Sequence, residues 1–234
     1  MTEPYISSQP SPSQASDPIA IALAEDIGPG DLTCRYFVDE ARQGRARIFA
    51  KQEAVVAGVL VAMEAFRRVD PHLVIQLSRQ DGDRVQPGDT VLEVTGPARS
   101  IFTGERVALN FLQRLSGVAT LTRRFVDAVA GHPTRILDTR KTTPGLRALE
   151  KAAVVAGGGV NHRFGLYDMV MVKDNHLAAD SSLEHLQERI RHFRRDYPKL
   201  RVELEADTIE QVRGFIGLEG VDVILLDNMS LVEM

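Results

Sequence analysis

The sequence predicts an α/β protein in two parts: a small N-terminal α+β sandwich domain over residues 18–115, and an α/β domain over residues 116–234. Between Arg45 and Gly104, short strand-like segments alternate with turn residues and one helix-like stretch, AMEAFRRVD, as in a small sheet with a covering helix. Beyond Gly104, a long helix precedes four apolar runs that alternate with helical patterns: RILDT, DMVMVK, RVELEA and VILLDN. Buried strands that alternate with helices indicate a parallel sheet, either open or closed into a barrel.

The chain begins with a stretch of different composition. Residues 1–17 are rich in Pro, Ser and Gln and poor in apolar residues. A segment that buries so little apolar surface cannot offset the entropy lost on ordering. We therefore expect a disordered tail over residues 1–17.

The long helix after Gly104 has one polar face. Arg106, Asn110, Gln113 and Arg114 recur at steps of three and four, which places them on the same side of a helix. From the pattern alone, a solvated helix surface is the simplest interpretation of these residues.

Charged side chains follow the predicted strands where each strand ends. The carboxyl ends of parallel strands carry the chemistry of α/β barrels. Applied to this chain, that rule selects Asp138–Lys141, Lys173–His176, Glu203 with Glu205, and Asp227–Asn228; His162 and Arg163 lie just before the second strand. The sequence therefore predicts a polar site at this edge of the sheet.

The residues of this site favour an anionic substrate. Arg140, Lys141, His162, Arg163 and Lys173 are cationic or can become so. Arginine grips carboxylates and phosphates with two parallel hydrogen bonds, whereas lysine acts as a point charge. Glu205 and Asp227 are the expected inward acids, which would stabilise a positive centre in the transition state or share a magnesium ion with a pyrophosphate. A structural ion-pair network of Lys173, Glu205 and Asp227 remains open on spacing alone.

The three glycines at 157–159 have two possible meanings. They can end a helix, or their backbone N–H groups can form an anion-binding nest. No nucleotide-binding glycine pattern surrounds them.

Composition excludes several classes of function. The net charge is −4 and no apolar run approaches the roughly 20 residues that a membrane span needs. Neither nucleic acid nor a membrane is an expected partner. The single cysteine, Cys34, rules out an internal disulfide, and a cytoplasmic location is expected.

Five motifs together resemble the quinolinate phosphoribosyltransferase family, also called nicotinate-nucleotide pyrophosphorylase (carboxylating). They cover nearly everything after the tail: EDIGPGDLT (25–33), GERVALNFLQRLSG (104–117), DTRKTTPGLRALEK (138–151), GGGVNHRFGLYDMVMVKDNH (157–176) and LLDNMS (225–230). The resemblance implies a barrel of the type II phosphoribosyltransferase kind. It also implies a reaction in which quinolinate and phosphoribosyl pyrophosphate (PRPP) give nicotinate mononucleotide, CO2 and pyrophosphate, a step of NAD biosynthesis.

The resemblance also assigns roles to residues. It implies substrate contacts for Arg106, Thr139, Arg140, Lys141, His162, Arg163, Lys173, Glu205 and Asp227, and catalytic roles for Lys141, Glu205 and Asp227. Arg106 is implied to reach the active site of a neighbouring subunit, so a homodimer or larger homo-oligomer with shared sites is expected. Mg²⁺ is expected with PRPP, held in part by Glu205 and Asp227, and no organic cofactor is expected.

The chain departs from the family pattern at its end. It stops at Met234, whereas family members continue through further barrel strands with glycine turns for the ribose phosphate. The expected barrel is therefore incomplete, with its C-terminal strands missing. The alternatives are a sibling phosphoribosyltransferase, acting on nicotinate or associated with molybdenum transport, and an inactive truncated binding fragment.

Overall fold

The computed structural model describes residues 17–177 and 182–234, and the chain divides into two compact units, Met1–His162 and Arg163–Met234. Nearly all of the predicted disordered tail, residues 1–16, lies outside the described residues. The last residue of that predicted tail, Asp17, caps the first helix. Its Oδ1 accepts hydrogen bonds from the backbone N–H groups of Ile19 and Ala20, at 3.1 Å each.

The described part of the first unit contains an antiparallel sheet, a short antiparallel strand pair and five helices. The strands are β1 Gln43–Phe49, β2 Ala54–Val55, β3 Val74–Leu77, β4 Arg84–Val85 and β5 Thr90–Pro97. The helices are α1 Pro18–Ile27, α2 Leu32–Phe37, α3 Val59–Val69, α4 Ala98–Ala128 and α5 Arg147–Ala156. Strand order in the sheet is β1-β5-β3, and β2 pairs with β4. Leu92 and Val94 of the central strand are fully buried against α3 and α4, together with Phe66. Each such side chain contributes on the order of 1.5–3 kcal/mol.

Helix α4 starts earlier than the sequence predicted. It begins at Ala98, directly after β5, rather than at Gly104. Gly104 lies inside the helix, where α4 crosses close to α3. A Cβ at this position would lie 2.9 Å from Phe66 Cδ1, so a glycine permits the close crossing. Arg106, Asn110, Gln113 and Arg114 are exposed, as the polar-face pattern predicted.

The first predicted barrel strand, RILDT, does not form, and this prediction was wrong. Its only ladder contact in the described residues is an isolated parallel bridge between Leu137 and Val160. Two backbone hydrogen bonds hold it, Val160 N to Ile136 O at 2.8 Å and Asp138 N to Val160 O at 3.1 Å. Leu137 is 53% exposed, so the apolar run is not covered on both sides as a buried strand would be.

The second unit has a parallel sheet of order β6-β7-β8. Its elements are β6 Met169–Val172, α6 Asp174–Leu177, α7 Leu183–Asp196, β7 Arg201–Ala206, α8 Ile209–Ile216 and β8 Val223–Leu226. Val202, Leu204 and Ala206 of the central strand pack against Leu186 and Ile190 of α7. The predicted fold class, an N-terminal α+β part followed by an α/β part, is confirmed.

No helix in the described ranges is both long and apolar enough to cross a membrane.

Candidate active site

The loop of residues 138–143, here called the basic loop, is anchored at its start by a buried ion pair. Lys151 Nζ donates to Asp138 Oδ1, and the two side chains are only 3% and 6% exposed. Lys151 also donates to the His162 carbonyl oxygen at 3.0 Å, and the His162 backbone N–H donates to Asp138 Oδ1 at 2.8 Å. Asp138 and Lys151 therefore fix the start of the basic loop and the backbone of His162 together.

Asn161 completes this network. When its amide nitrogen faces the two acceptors, that nitrogen donates to Asp138 Oδ2 at 2.7 Å and to the Lys151 carbonyl at 3.0 Å. Asp138 then receives three donors: the Lys151 ammonium, the His162 backbone N–H and the Asn161 amide. A buried carboxylate needs such partners, because an unpaired one is costly.

The middle of the basic loop is shaped by its own hydroxyl groups. Thr139 Oγ1 accepts from Lys141 N at 3.0 Å, and Thr142 N donates to Arg140 O at 2.9 Å. From the start of α5, Arg147 donates to Thr142 Oγ1 at 3.1 Å and to Arg140 O at 3.2 Å. Thr139 thus has a defined structural contact, and its predicted substrate contact stays a prediction.

A second buried acid, Glu150, holds the far end of the basic loop. Its carboxylate accepts from Thr143 N at 3.0 Å, from Thr143 Oγ1 at 2.7 Å, and from Arg114 Nε and Nη2 at 3.1 and 2.7 Å. Burial by itself would raise the pKa of Glu150. The hydrogen bonds from Thr143 and Arg114 outweigh burial, and the pKa lies below its usual value.

Three predicted cations of the first unit have no side-chain partner in the part of the chain that the structure describes. Among residues 17–177 and 182–234, the side chains of Arg106, Arg140 and Lys141 make no hydrogen bond and no ion pair. Arg106 and Lys141 are exposed and Arg140 is half-buried. Because the basic loop is anchored through other residues, the charges of Arg140 and Lys141 are available to an anion.

In the second unit, strand register brings three predicted residues to one edge of the sheet. Val172 pairs with Leu204 and Glu205 pairs with Leu225, while Asp227 N donates to Ala206 O at 2.9 Å. Lys173, Glu205 and Asp227 therefore follow one another across the carboxyl ends of β6, β7 and β8. Side chains alternate along a strand, so Glu203, Glu205 and Asp227 lie on the sheet face opposite the one that packs on α7.

The charges at this edge are partly paired. Lys173 Nζ lies 2.6 Å from Glu205 Oε2, with side chains 38% and 8% exposed. This contact is what the ion-pair alternative predicted, but a lysine ammonium has two further protons to donate. Asp227 Oδ2 accepts from Asn228 Nδ2 at 2.9 Å and is only partly buried.

Arg163 begins the second unit and points toward the same face of the sheet. Its guanidinium donates to the Met169 carbonyl at 3.4 Å and lies 3.4 Å from the Met171 sulfur. Met171 pairs with Glu203 in the parallel ladder. Arg163 therefore lies near the acidic residues of β7.

The described side chains alone do not form a metal cage. No cluster of three or more His, Cys, Asp or Glu side chains suited to a metal occurs in the described ranges. Mg²⁺, however, commonly binds through one or two carboxylates together with substrate phosphates. The partly exposed Asp227 fits that role better than Glu205, whose carboxylate is engaged by Lys173.

The glycines at 157–159 end a helix and do not form an anion nest. Their N–H groups donate to the carbonyls of Ala153, Val155 and Val154 at 3.0, 2.9 and 2.9 Å. A Cβ on Gly157 would collide with the Ala119 carbonyl and lie 2.7 Å from Thr122 Cβ. Gly157 therefore permits the close approach of α5 to α4.

Sequence reasoning missed Glu150 and Lys151. Both are buried, at 7% and 2% exposure, although charged residues in an amphipathic helix usually face solvent. One signal was present: these two adjacent charges interrupt the otherwise apolar stretch between Leu149 and Ala156. Two neighbouring helix positions point about 100° apart, so both could still face solvent, and this signal alone did not identify them as buried.

Comparison with known proteins gives a consistent result along the chain. Residues 31–116 match the model of the quinolinate phosphoribosyl transferase N-terminal domain, and residues 118–234 match that of the C-terminal domain. The predicted domain limits, 18–115 and 116–234, stay a prediction. The two compact units of the structure divide the chain after His162.

Individual relatives and solved structures agree with these matches. The chain is 46% identical to a probable nicotinate-nucleotide pyrophosphorylase [carboxylating] of Bacillus subtilis, over 87% of this chain and 69% of that protein. It is 43% identical to the chloroplastic enzyme of that name from Arabidopsis thaliana, over 90% of this chain and 62% of that protein. The crystal structure of NadC from Streptococcus pyogenes superposes with a TM-score of 0.84 at 42% identity, covering 97% of this chain and 79% of that one. The chain belongs to the quinolinate phosphoribosyltransferase family.

Proposed function

We propose that this protein transfers the phosphoribosyl group of PRPP to the ring nitrogen of quinolinate and releases the adjacent carboxylate as CO2. The products are nicotinate mononucleotide, pyrophosphate and CO2. The observation that carries the proposal is a pair of cations, Arg140 and Lys141, whose side chains have no partner among the described residues and which lie on an anchored loop in a chain of this family.

The cations have distinct roles in this proposal. Quinolinate carries two carboxylates, which suit the forked hydrogen bonds of Arg140 and Arg163, with Arg106 as a third arginine. Thr139 and His162 lie beside these arginines in the sequence and contribute further polar contacts. Lys141 and Lys173 offset the charge of the phosphates. Binding of this kind orients the ring nitrogen toward the anomeric carbon before reaction.

The electron balance follows from the substrates. The nitrogen lone pair forms the new bond to the anomeric carbon as the bond to pyrophosphate breaks, and pyrophosphate leaves with that electron pair. Glu205 and Asp227 stabilise the positive charge that develops on the sugar. The carbon–carbon bond to the carboxylate then breaks, CO2 leaves, the electron pair stays on the ring carbon, and a proton replaces the carboxylate there.

Magnesium is the one cofactor in this proposal. Bound with PRPP, it would neutralise part of the pyrophosphate charge, with Asp227 as its protein ligand. The Lys173–Glu205 pair keeps a cation and an acid side by side, so Lys173 can meet the phosphates while Glu205 faces the sugar.

We also propose a homodimer or larger homo-oligomer in which Arg106 serves the partner's site. The support is that Arg106 is exposed on α4 and has no partner within the described residues. Mixing inactive Arg106→Ala protein with inactive Lys141→Ala protein should restore some activity through hybrid sites. Hybrid oligomers that form but stay inactive would exclude this role. A cytoplasmic location completes the proposal, on the ground of composition alone.

The direct test is formation of nicotinate mononucleotide from quinolinate, PRPP and magnesium, followed by chromatography. Nicotinate replaces quinolinate in a parallel reaction, which tests the sibling activity. Lys141→Ala is the control for contaminating enzyme. A product formed from nicotinate but not from quinolinate would contradict the proposal.

A further inference from the structure

Arg114, on the exposed face of α4, is the centre of a three-way contact. Its Nη2 lies 2.7 Å from Glu150 Oε1 and 2.6 Å from Thr143 Oγ1, and its Nε lies 3.1 Å from Glu150 Oε1. Thr143 Oγ1 donates to the same carboxylate oxygen at 2.7 Å. The guanidinium thus joins α4, α5 and the basic loop.

The contact fixes the basic loop at Thr143, just after the segment that carries Arg140 and Lys141. Thr143 follows Lys141 by two residues, and its backbone N–H is held by Glu150 Oε2 at 3.0 Å. The start of the loop is fixed by the Asp138–Lys151 pair. Between these two anchors, Arg140 and Lys141 have no side-chain partner in the described residues, so their placement depends on the anchors.

The charge of Arg114 balances the charge of the buried Glu150 carboxylate. The Glu150 side chain is 9% exposed, and two Thr143 donors alone would leave its negative charge without a cation. Arg114 supplies that cation from a side chain that is 55% exposed. An arginine fork can hold both Glu150 and Thr143, whereas one ammonium presents no fixed fork.

We propose that Arg114 is a positioning residue of the active site: with Glu150 it fixes Thr143, and thereby the conformation in which the basic loop presents Arg140 and Lys141 to quinolinate and phosphate. This inference rests on the proposed function. It deepens that function by assigning a role to a residue that touches no substrate.

A simple surface ion pair is the competing explanation, and such pairs contribute little to stability. Both explanations allow a loss of stability on mutation. They differ in what happens to ligand binding, because a surface pair has no reason to change the affinity for quinolinate.

The experiment compares Arg114→Ala and Arg114→Lys with a matched control, Arg123→Ala. Arg123 lies on the same helix and pairs with Asp127 at 2.8 Å, with side chains 40% and 47% exposed, but it does not touch the basic loop. Three quantities are measured in the full chain: melting temperature, quinolinate affinity by calorimetry, and hydrogen exchange of the amides of residues 140–143.

We expect Arg114→Ala to weaken quinolinate affinity on the order of tenfold, because small misplacements of binding groups carry large costs. Exchange at the Thr143 amide should accelerate, and the melting temperature should fall further than in the control, because the buried Glu150 carboxylate loses its cation. Arg114→Lys should lie between Arg114→Ala and the unmodified protein.

Quinolinate affinity that is unchanged in Arg114→Ala, or reduced equally in Arg123→Ala, would overturn the inference. Unchanged exchange at Thr143 would also overturn it, because the loop end would then not depend on Arg114. If the unmodified protein binds no quinolinate, the proposed function fails instead, and the exchange measurement, which needs no ligand, still decides whether Arg114 fixes the loop.

Discussion

Replacing Lys151 by methionine tests the buried pair that anchors the basic loop. Methionine preserves most of the side-chain volume but leaves the Asp138 carboxylate, 6% exposed, without its cation. Breaking one side of a buried pair costs about 3–5 kcal/mol. Asp138 keeps its hydrogen bonds from His162 and Asn161, so we expect the lower end, about 3 kcal/mol.

Thermal unfolding measures this loss. For a chain of this length, 1 kcal/mol corresponds to roughly 2–4 °C, so the melting temperature should fall by about 6–12 °C. Arg191→Met is the matched control, because its pair with Glu219 is 63% and 76% exposed and should contribute little.

A second variant separates charge from packing. In Asp138→Asn with Lys151→Met both charges are gone, and replacing a complete buried pair is often nearly neutral. The double variant should therefore melt closer to the unmodified protein than Lys151→Met does. The reasoning is refuted if Lys151→Met melts like Arg191→Met, since Asp138 would then need no cation.

Three further predictions concern acid stability, substrate recognition and packing. The pKa of Glu150 is held below its usual value of 4.5, so its stabilising contribution is full above that pH and is lost as the pH falls through the lowered value. The free energy of unfolding should therefore exceed that of Glu150→Gln at neutral pH, and the excess should shrink in acid; an excess independent of pH contradicts this. Arg140→Lys should weaken quinolinate binding in calorimetry by about 1.5–3 kcal/mol, because one charged fork is replaced by a point charge; unchanged affinity would show that Arg140 does not hold a carboxylate. Gly157→Ala should lower the free energy of unfolding by about 1–3 kcal/mol through collision with Ala119, whereas Gly117→Ala, with open space around its Cβ and a helical position, should be neutral or stabilising; equal effects would contradict the close approach.

The charged edge of the second unit was predictable from the sequence because the alternation of apolar runs with helical patterns determines it. Apolar runs separated by helices imply parallel strands, and parallel strands bring their carboxyl ends to one edge. Lys173, Glu205 and Asp227 lie at that edge in the structure. Their chemical roles stay predictions.

The anchors of the basic loop were less predictable. Some anchors join residues that are distant in the sequence, as with Arg114 and Glu150. Others lie on a helix whose buried face cannot be identified from periodicity alone, as with Lys151. The RILDT segment has strand-like residues, but within the described ranges it pairs only with Val160, so local preference did not decide its structure.

The proposed reaction is tested most directly by the ratio of CO2 to pyrophosphate released from quinolinate and PRPP. Quinolinate labelled in the carboxylate next to the ring nitrogen allows both products to be counted in one reaction. We expect one CO2 for each pyrophosphate, with neither released when PRPP or quinolinate is omitted. Pyrophosphate released without CO2, or CO2 released without PRPP, would contradict the proposed reaction.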